Sequence, residues 1–248
     1  MDKKFLSCGL GGGLDIKLIS TVHGPTEIRA KIAKKFTQEL NHDIPVAIGE
    51  QYPIKQPHIL ITGLEGKDYI KADEKFNIET NAVDKIIQTI YENKGIDIAA
   101  LGPLTNIAKA LKKDSNLENY INHIYIMGNA LQTKDNVYLN YRSHNLKADP
   151  EAADIVFNAQ ISKTIITTEV CKKNFLTRDE LCSLGKNTTL NYIVSAGKEW
   201  LDYIKADVAY LYDPLVIHHL IDDNITKKIT YGQARITTDV KPFKNKLL

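Results

Sequence analysis

The sequence predicts an α/β protein: a Rossmann-like, open, mostly parallel sheet with helices on both of its faces. Short runs of β-branched apolar residues alternate along the chain with segments whose apolar residues recur every three or four positions. Strands that alternate with helices form βαβ units, and such units build parallel sheets. No internal repeat or linker-like composition interrupts the chain, so residues 1–248 are expected to form one domain.

The first βαβ unit is predicted near the N-terminus. Residues 14–22 alternate and are β-branched, as in a strand, and a helical pattern follows from Thr26, with a second short strand at residues 43–49. Residues 50–76 lack periodicity and contain several prolines and glycines, which indicates a long loop. The predicted apolar stripe of the helix consists of Ile28, Ile32, Phe36 and Leu40.

The remaining chain continues the alternation of strands and helices. Buried strands are predicted at residues 96–101, 124–128 and 163–170, and further strands in the last 22 residues. Thr105 is expected to cap the helix after the Gly102-Pro103 turn, and Asp149 to open another. The remaining helices are predicted at residues 77–91, 176–184 with a Thr177 cap, 192–204, and from Tyr212 onward.

Composition excludes several classes of protein. The 32 basic and 30 acidic residues nearly balance, which argues against an electrostatic nucleic-acid binder. Cys8, Cys171 and Cys182 show no metal-like spacing and suit a reducing compartment better than a disulfide framework. No apolar run approaches the roughly 20 residues that span a bilayer. A cytoplasmic protein without a membrane partner is therefore expected.

Polar side chains follow the predicted strands at three places. These are His23, the loop at residues 136–145 and Asp213. Ligands bind outside the carboxyl ends of strands in such sheets, so these residues are candidates for an active site. Each also has a purely structural explanation, because asparagines form turns and an Asp before Pro caps a helix. Taken singly, they predict a pocket without specifying a reaction.

The combination of motifs resembles the inosine-uridine nucleoside hydrolase family. The resemblance covers roughly residues 14–221 in four ordered blocks. They are STVHG with RAKIAKKF and DIPVAIGE; IDIAALGPLTNIAKAL; IYIMGNA with SHNLKADPEAADIVF; and YDPLVIHHLID. The LGPLTN turn and the ADPEAA helix start, in this order and spacing, are its most specific elements.

This resemblance implies an enzyme that hydrolyses the N-glycosidic bond of ribonucleosides to base and ribose, in nucleoside salvage, around a bound Ca²⁺. Departure of the base leaves an oxocarbenium-like ribose, and a hard cation can hold the sugar hydroxyls and activate water. By matching motif, Asp213 and the backbone carbonyl of Ile126 would ligate the metal. A homo-oligomer, dimer or tetramer, is also implied.

The resemblance further assigns residues to the substrate. Asn145 and Asn136 would bind the ribose hydroxyls, His144 would lie beside them, and Glu65 would lie in a mobile loop near the sugar. Tyr212 stands where the family has a His before Asp-Pro, and is a possible proton donor to the leaving base. Ser143 stands where the family has an acid.

One departure from the family leaves a different function open. Members begin with a strand that ends in an Asp-x-Asp-x-x-x-Asp-Asp cluster, and no such cluster precedes Leu14. The expectation is therefore a chain truncated at both termini, with the first strand missing and the Ca²⁺ site incomplete. The alternative function is a non-catalytic remnant that binds ribosides or subunits. A dinucleotide-dependent oxidoreductase would rest on GLGGG at residues 9–13 alone.

Overall fold

The structure is a computed structural model that describes residues 4–6, 14–55, 61–132, 137–140, 143–184, 187–231 and 234–241. The strands are β1 (Lys4–Leu6), β2 (Asp15–Ser20), β3 (Val46–Ala47), β4 (Ile96–Ala100), β5 (Ile121–Gly128), β6 (Ala130–Gln132), β7 (Val137–Leu139), β8 (Ser162–Thr167), β9 (Phe175–Thr177), β10 (Val208–Tyr210), β11 (Thr226–Tyr231) and β12 (Ala234–Val240).

Helices connect most of the strands of the main sheet. They are α1 (Thr26–Glu39), α2 (Ala82–Glu92), α3 (Thr105–Lys113), α4 (His144–Ala148), α5 (Pro150–Asn158), α6 (Thr168–Cys171), α7 (Arg178–Ser183), α8 (Thr188–Tyr203) and α9 (Tyr212–Ile221), with short 3-10 helices at Ser115–Asn119 and Asp223–Ile225. Within the described parts of the chain, none of these helices has both the length and the apolar character needed to cross a membrane.

The predicted parallel sheet is confirmed. In the described chain, eight strands pair in the order β11-β12-β8-β5-β4-β1-β2-β3. Every neighbouring pair is parallel except β11 and β12, which are antiparallel. The strands β6–β7 and β9–β10 form two small antiparallel pairs outside this sheet.

The expectation that the first strand is missing is wrong. Residues Lys4–Leu6 form β1, which lies between β2 and β4 and pairs in parallel with both. Three residues are too few to show a period-2 pattern, so no sequence signal marked them. The strand is stabilised from outside, because the ladders of its two neighbours supply hydrogen bonds on both edges.

Helices cover both faces of the sheet, also as predicted. Successive side chains of a strand point to opposite faces. Ile98 of β4 and Ile124 of β5 accordingly pack with α2, α3 and α5 in one core. Ala99 and Met127, one and three residues further on, pack with α6 to α9 in a second core.

Two local predictions are wrong. Thr105 does not cap α3; its hydroxyl donates to Asp149 at 2.6 Å, and Asp149 also accepts the Ala152 N–H as the cap of α5. The run at 163–170 does not stay extended, because β8 ends at Thr167 and α6 begins at once. Both errors concern strand-to-helix turns, where periodicity carries little information.

Candidate active site

A cavity of about 720 Å³ opens beyond the carboxyl ends of β5 and β8, as expected for such a sheet. Its volume lies in the usual range for sites that bind small ligands. Most of its lining residues have polar side chains and belong to segments that follow β5, β8 and β10, and Leu101 after β4 and Trp200 of α8 complete the wall. The lining residues are Leu101, Met127, Asn129, Asn140, Ser143, His144, Asn145, Thr168, Glu169, Lys172, Trp200, Tyr212 and Asp213.

Asp213 and Tyr212 enter the cavity from the first turn of α9. The Asp213 carboxyl is exposed to the cavity, yet protein atoms crowd it closely enough that desolvation raises its pKa to about 7. Burial also raises the pKa of the Tyr212 phenol above its usual value, with a smaller contribution from the charge of Glu169. Tyr212 therefore keeps its proton near neutral pH and can donate a hydrogen bond, but it is a weak acid.

Asn145 and His144 reach the same cavity from α4. The Asn145 amide nitrogen donates to the carbonyls of Leu101 and Met127 at 2.9 and 3.1 Å, which are carbonyls at the ends of two neighbouring strands. These bonds fix the amide plane and leave its oxygen as an acceptor for a ligand. The His144 ring meets His23 edge to face at a centroid distance of 5.8 Å.

The four predicted residues Asp213, Tyr212, Asn145 and His144 thus share one cavity, whereas the other three do not join it within the described structure. Glu65 lines a neighbouring cavity of about 360 Å³, together with Arg29 and Tyr192. His144 and Trp200 line both cavities.

The remaining two predicted residues are Ile126 and Asn136. Ile126 is buried inside β5, and Met127, one residue later, lines the cavity instead. Asn136 lies outside the described residues, so its predicted contact with the ribose stays a prediction.

Sequence reasoning missed Glu169, which lines the cavity from α6. Its carboxylate accepts hydrogen bonds from Asn129 at 3.0 Å and from Thr168 at 3.2 Å. Desolvation opposes ionisation, but these hydrogen bonds and one from its own backbone outweigh it and lower the pKa of Glu169. The signal that could have revealed it is the Thr-Thr-Glu sequence at the end of β8, because Thr and Glu favour the start of a helix.

Comparison with known protein families shows to which family a chain with these motifs belongs. The profile of the family described as inosine-uridine preferring nucleoside hydrolase matches residues 6–244. The chain belongs to this nucleoside hydrolase family. The match begins near β1 and includes β11 and β12, so it extends beyond residues 14–221 at both ends.

Individual nucleoside hydrolases support this assignment. Uridine nucleosidase 1 of Arabidopsis thaliana is 31% identical over 186 residues, covering 70% of this chain and 55% of the relative. Probable uridine nucleosidase 2 of Oryza sativa is 28% identical, covering 72% of this chain and 57% of the relative. The chain thus spans about half the length of the curated relatives it matches. A solved plant nucleoside hydrolase, PpNRh1, shares the fold with a TM-score of 0.71 at 22% identity, over 94% of this chain and 88% of the other.

The nucleoside hydrolase motifs also hold the strand ends together. Asn106 of LGPLTN donates to the Thr21 carbonyl at 2.8 Å and accepts the Glu50 N–H at 2.9 Å. Asp149 of ADPEAA accepts the Ile54 N–H at 3.0 Å in addition to its cap and Thr105 bonds. The structural explanation of Asp149 as a helix cap is therefore confirmed, and these two side chains tie the start of the long loop to the sheet.

The described residues do not complete a Ca²⁺ site. Ca²⁺ takes 6–8 oxygen ligands, whereas no group of three or more His, Cys, Asp or Glu side chains suited to a metal occurs in the described parts of the chain. Of the two predicted ligands, Asp213 lines the cavity, whereas the backbone carbonyl of Ile126 stays a predicted ligand.

The dinucleotide hypothesis loses its structural basis. A strand, β1, does precede the glycine run, but the described chain continues from Leu14 directly into β2. The fingerprint requires a helix whose N-terminus receives the pyrophosphate. Residues 7–13, which include the whole glycine run, lie outside the described residues.

Proposed function

We propose that this chain is a ribonucleoside N-glycosidase that releases a nucleobase and ribose, with uridine as the first substrate to test. The observation that carries the proposal is the meeting of Asp213, Tyr212, His144 and Asn145 in one cavity of a nucleoside hydrolase family member. Uridine is chosen because the relatives described above are named uridine nucleosidases.

The polar groups of the cavity suit the charge changes of this reaction. Loss of the base leaves positive charge on the ribose, and a carboxylate placed beside that charge stabilises the transition state. Asp213 would supply the carboxylate. The Asn145 oxygen would accept a ribose hydroxyl, since its amide nitrogen is already bound to Leu101 and Met127.

The leaving base needs a hydrogen-bond donor as negative charge develops on it. Tyr212 would donate this bond, and its raised pKa indicates hydrogen bonding with little proton transfer. His144 lines both cavities and would contact a nucleoside that extended from one cavity into the other. By family resemblance Asp213 and the Ile126 carbonyl would supply part of the ligands of a Ca²⁺ ion, and the ion would supply Lewis acidity. A homo-oligomer in the cytoplasm also belongs to this proposal.

The test is release of reducing sugar from uridine and inosine by the purified chain, with Ca²⁺ and with a chelator. Replacing Asp213 by Asn should lower kcat/KM by about 100-fold or more, which is the usual cost of removing one electrostatic stabiliser. The matched control is Asp179→Asn, which removes an exposed carboxylate of α7 outside the cavity and should leave the rate unchanged.

Each outcome separates the alternatives. Sugar release that requires Asp213 supports the glycosidase. Saturable uridine binding without release would identify the non-catalytic riboside-binding protein instead. Neither release nor binding of uridine or inosine would refute both hypotheses.

A further inference from the structure

Glu169 places a second carboxylate in the cavity that contains Asp213 and Asn145. It lies on the second residue of α6, directly after β8, so the strand end that defines the cavity also carries this group. Its side chain is exposed to the cavity and no ion pair with a described residue neutralises it. A carboxylate in this position is available to a ligand.

A short hydrogen-bond network holds Glu169 in one orientation. The buried Asn129 donates its amide to the Glu169 Oε1 and to the Thr168 Oγ1, both at 3.0 Å. The Thr168 hydroxyl in turn donates to the Glu169 Oε2 at 3.2 Å. The two carboxylate oxygens offer about four acceptor sites, and these contacts together with the hydrogen bond from the Glu169 backbone use three of them. The remaining site can accept a donor from a ligand.

The same cavity contains a donor that the protein leaves unsatisfied. Ser143 is 4% exposed, lines the cavity, and its hydroxyl has no hydrogen-bond partner in the described structure. A buried hydroxyl without a partner costs free energy, so native proteins rarely keep one unless a ligand or water satisfies it. Ser143 therefore indicates, independently of Glu169, that a polar ligand occupies this space.

We propose that Glu169 is a substrate-binding residue whose carboxylate accepts a hydrogen bond from a ribose hydroxyl. The inference rests on the proposed function, because it assumes that the cavity receives a ribose. A ribose ring presents several hydroxyl donors and no cationic group, so acceptors fixed in place are what its recognition requires. Glu169, directly after β8, and the oxygen of Asn145, whose amide nitrogen is bound at the ends of β4 and β5, would then both bind the sugar.

The test measures binding of a ribose ring that cannot be hydrolysed. The probe is 1,4-anhydro-D-ribitol, compared with three analogues that each lack one of its hydroxyl groups, in calorimetric or NMR titrations. Glu169→Gln removes the charge while it keeps the size and shape of the side chain. It should weaken binding of the parent probe about 10- to 100-fold, as expected for loss of a hydrogen bond to a charged group.

The pattern across the analogues identifies the bond. The analogue that lacks the hydroxyl bound by Glu169 should be weakened less than about 3-fold by Glu169→Gln, because the interaction is already absent. Glu169→Asp keeps the charge on a shorter side chain and should bind with intermediate affinity. The matched control is Glu180→Gln in α7, since a capping box accepts Glu or Gln at this position.

Two results would overturn the inference: unchanged binding in Glu169→Gln, or equal weakening of the parent and all three analogues. Thermal unfolding compared with the Glu180 control separates a loss of binding from a loss of fold. Because the probe has no base, these results stand even if the uridine assay shows no hydrolysis. Failure of the proposed function and failure of this inference are therefore distinguishable.

Discussion

His23 combines burial, an unusual backbone conformation and an unsatisfied ring nitrogen. It is 5% exposed, its φ is 62°, and its Nδ1 has no hydrogen-bond partner in the described structure. Desolvation is the main cause that lowers the pKa of His23 below 6.5, and His144 and Arg29 add to it, whereas Asp149 acts in the opposite direction. Protonation of His23 is therefore unfavourable in the folded protein.

This pKa shift predicts loss of stability in mild acid. Between the lowered folded pKa and the ordinary value near 6.5, the unfolded chain binds more protons, so stability rises with pH. The loss of stability caused by the lowered pKa of His23 is absent above pH 6.5, and it grows as the pH falls through the pKa of His23 in the folded protein. In His23→Asn this loss should vanish, and Asn tolerates the positive φ. Urea unfolding at pH 7.5 and 5.0 should show a smaller loss for His23→Asn than for the unsubstituted chain.

The control for this prediction is His42→Asn, because His42 is exposed at the end of α1. This variant should follow the pH dependence of the unsubstituted chain. If His23→Asn did so as well, burial of His23 would not govern acid stability.

For single residues, the sequence predicted which side chains share the cavity better than it predicted the role of each of them. The sequence predicted one site for Asp213, Asn145 and His144, because each belongs to a recognisable motif and motifs at strand ends converge in a parallel sheet. Glu169 was missed because the β-branched residues of β8 continue through Thr168, so that residues 163–170 were assigned to one strand. The exact point where a strand turns into a helix depends on tertiary hydrogen bonds such as those from Asn129.

The helices and long strands were predicted well, but the buried face of α1 was not. Ile28, Ile32 and Phe36 are half-buried and Leu40 is exposed, whereas Ala30 and Thr37 are fully buried. Small residues face the sheet here because α1 packs closely against it, and the larger apolar side chains contact other parts of the chain. The periodicity of a sequence indicates that a helix has an apolar stripe, but it does not indicate which part of the protein packs against that stripe.

One of these neighbours is the long loop, which was expected to be mobile around Glu65. In the structure, side-chain contacts connect this loop to α1 and α8. Arg29 forms an ion pair with Glu65 at 2.8 Å. Tyr69 stacks on Tyr192 of α8 at a centroid distance of 4.1 Å, and Phe36 meets both rings edge to face. The loop therefore bridges α1 and α8.

The Tyr192 hydroxyl is predicted to be a main anchor of this loop. It accepts the N–H of the buried Gly66 at 2.9 Å. Tyr192→Phe would leave that N–H unsatisfied, which should lower the free energy of unfolding by about 1–3 kcal/mol and speed proteolytic cleavage within residues 61–76. Tyr203→Phe is the matched control, because Tyr203 lies on the same helix and is 55% exposed. Equal stability and equal cleavage of the two variants would show that the loop is held by other contacts.

At the scale of the whole molecule, β1 connects two parts of the sheet. Strands β2 and β3 lie on one side of it, and the five strands β4, β5, β8, β12 and β11 lie on the other. The described pairing between these two parts passes through β1 alone, with Phe5 paired to Ile16 on one side and Asp97 on the other. The cavity is lined by residues that follow β5 and β8, whereas His23, whose ring contacts His144 in the cavity wall, follows β2. The two parts of the sheet must therefore keep their relative position.

Phe5→Pro is predicted to weaken the whole sheet. Proline has no N–H, so in a central strand it removes a ladder hydrogen bond and leaves a carbonyl of a neighbouring strand without its donor. The free energy of unfolding should fall by about 1–3 kcal/mol. Phe5→Ala is the control, because it shortens the side chain and keeps the backbone donor. If urea unfolding gave the same loss of unfolding free energy for both variants, the backbone pairing of β1 would contribute nothing to stability. A larger loss for Phe5→Pro would establish that the hydrogen bonds of this three-residue strand, which has no sequence pattern, stabilise the sheet.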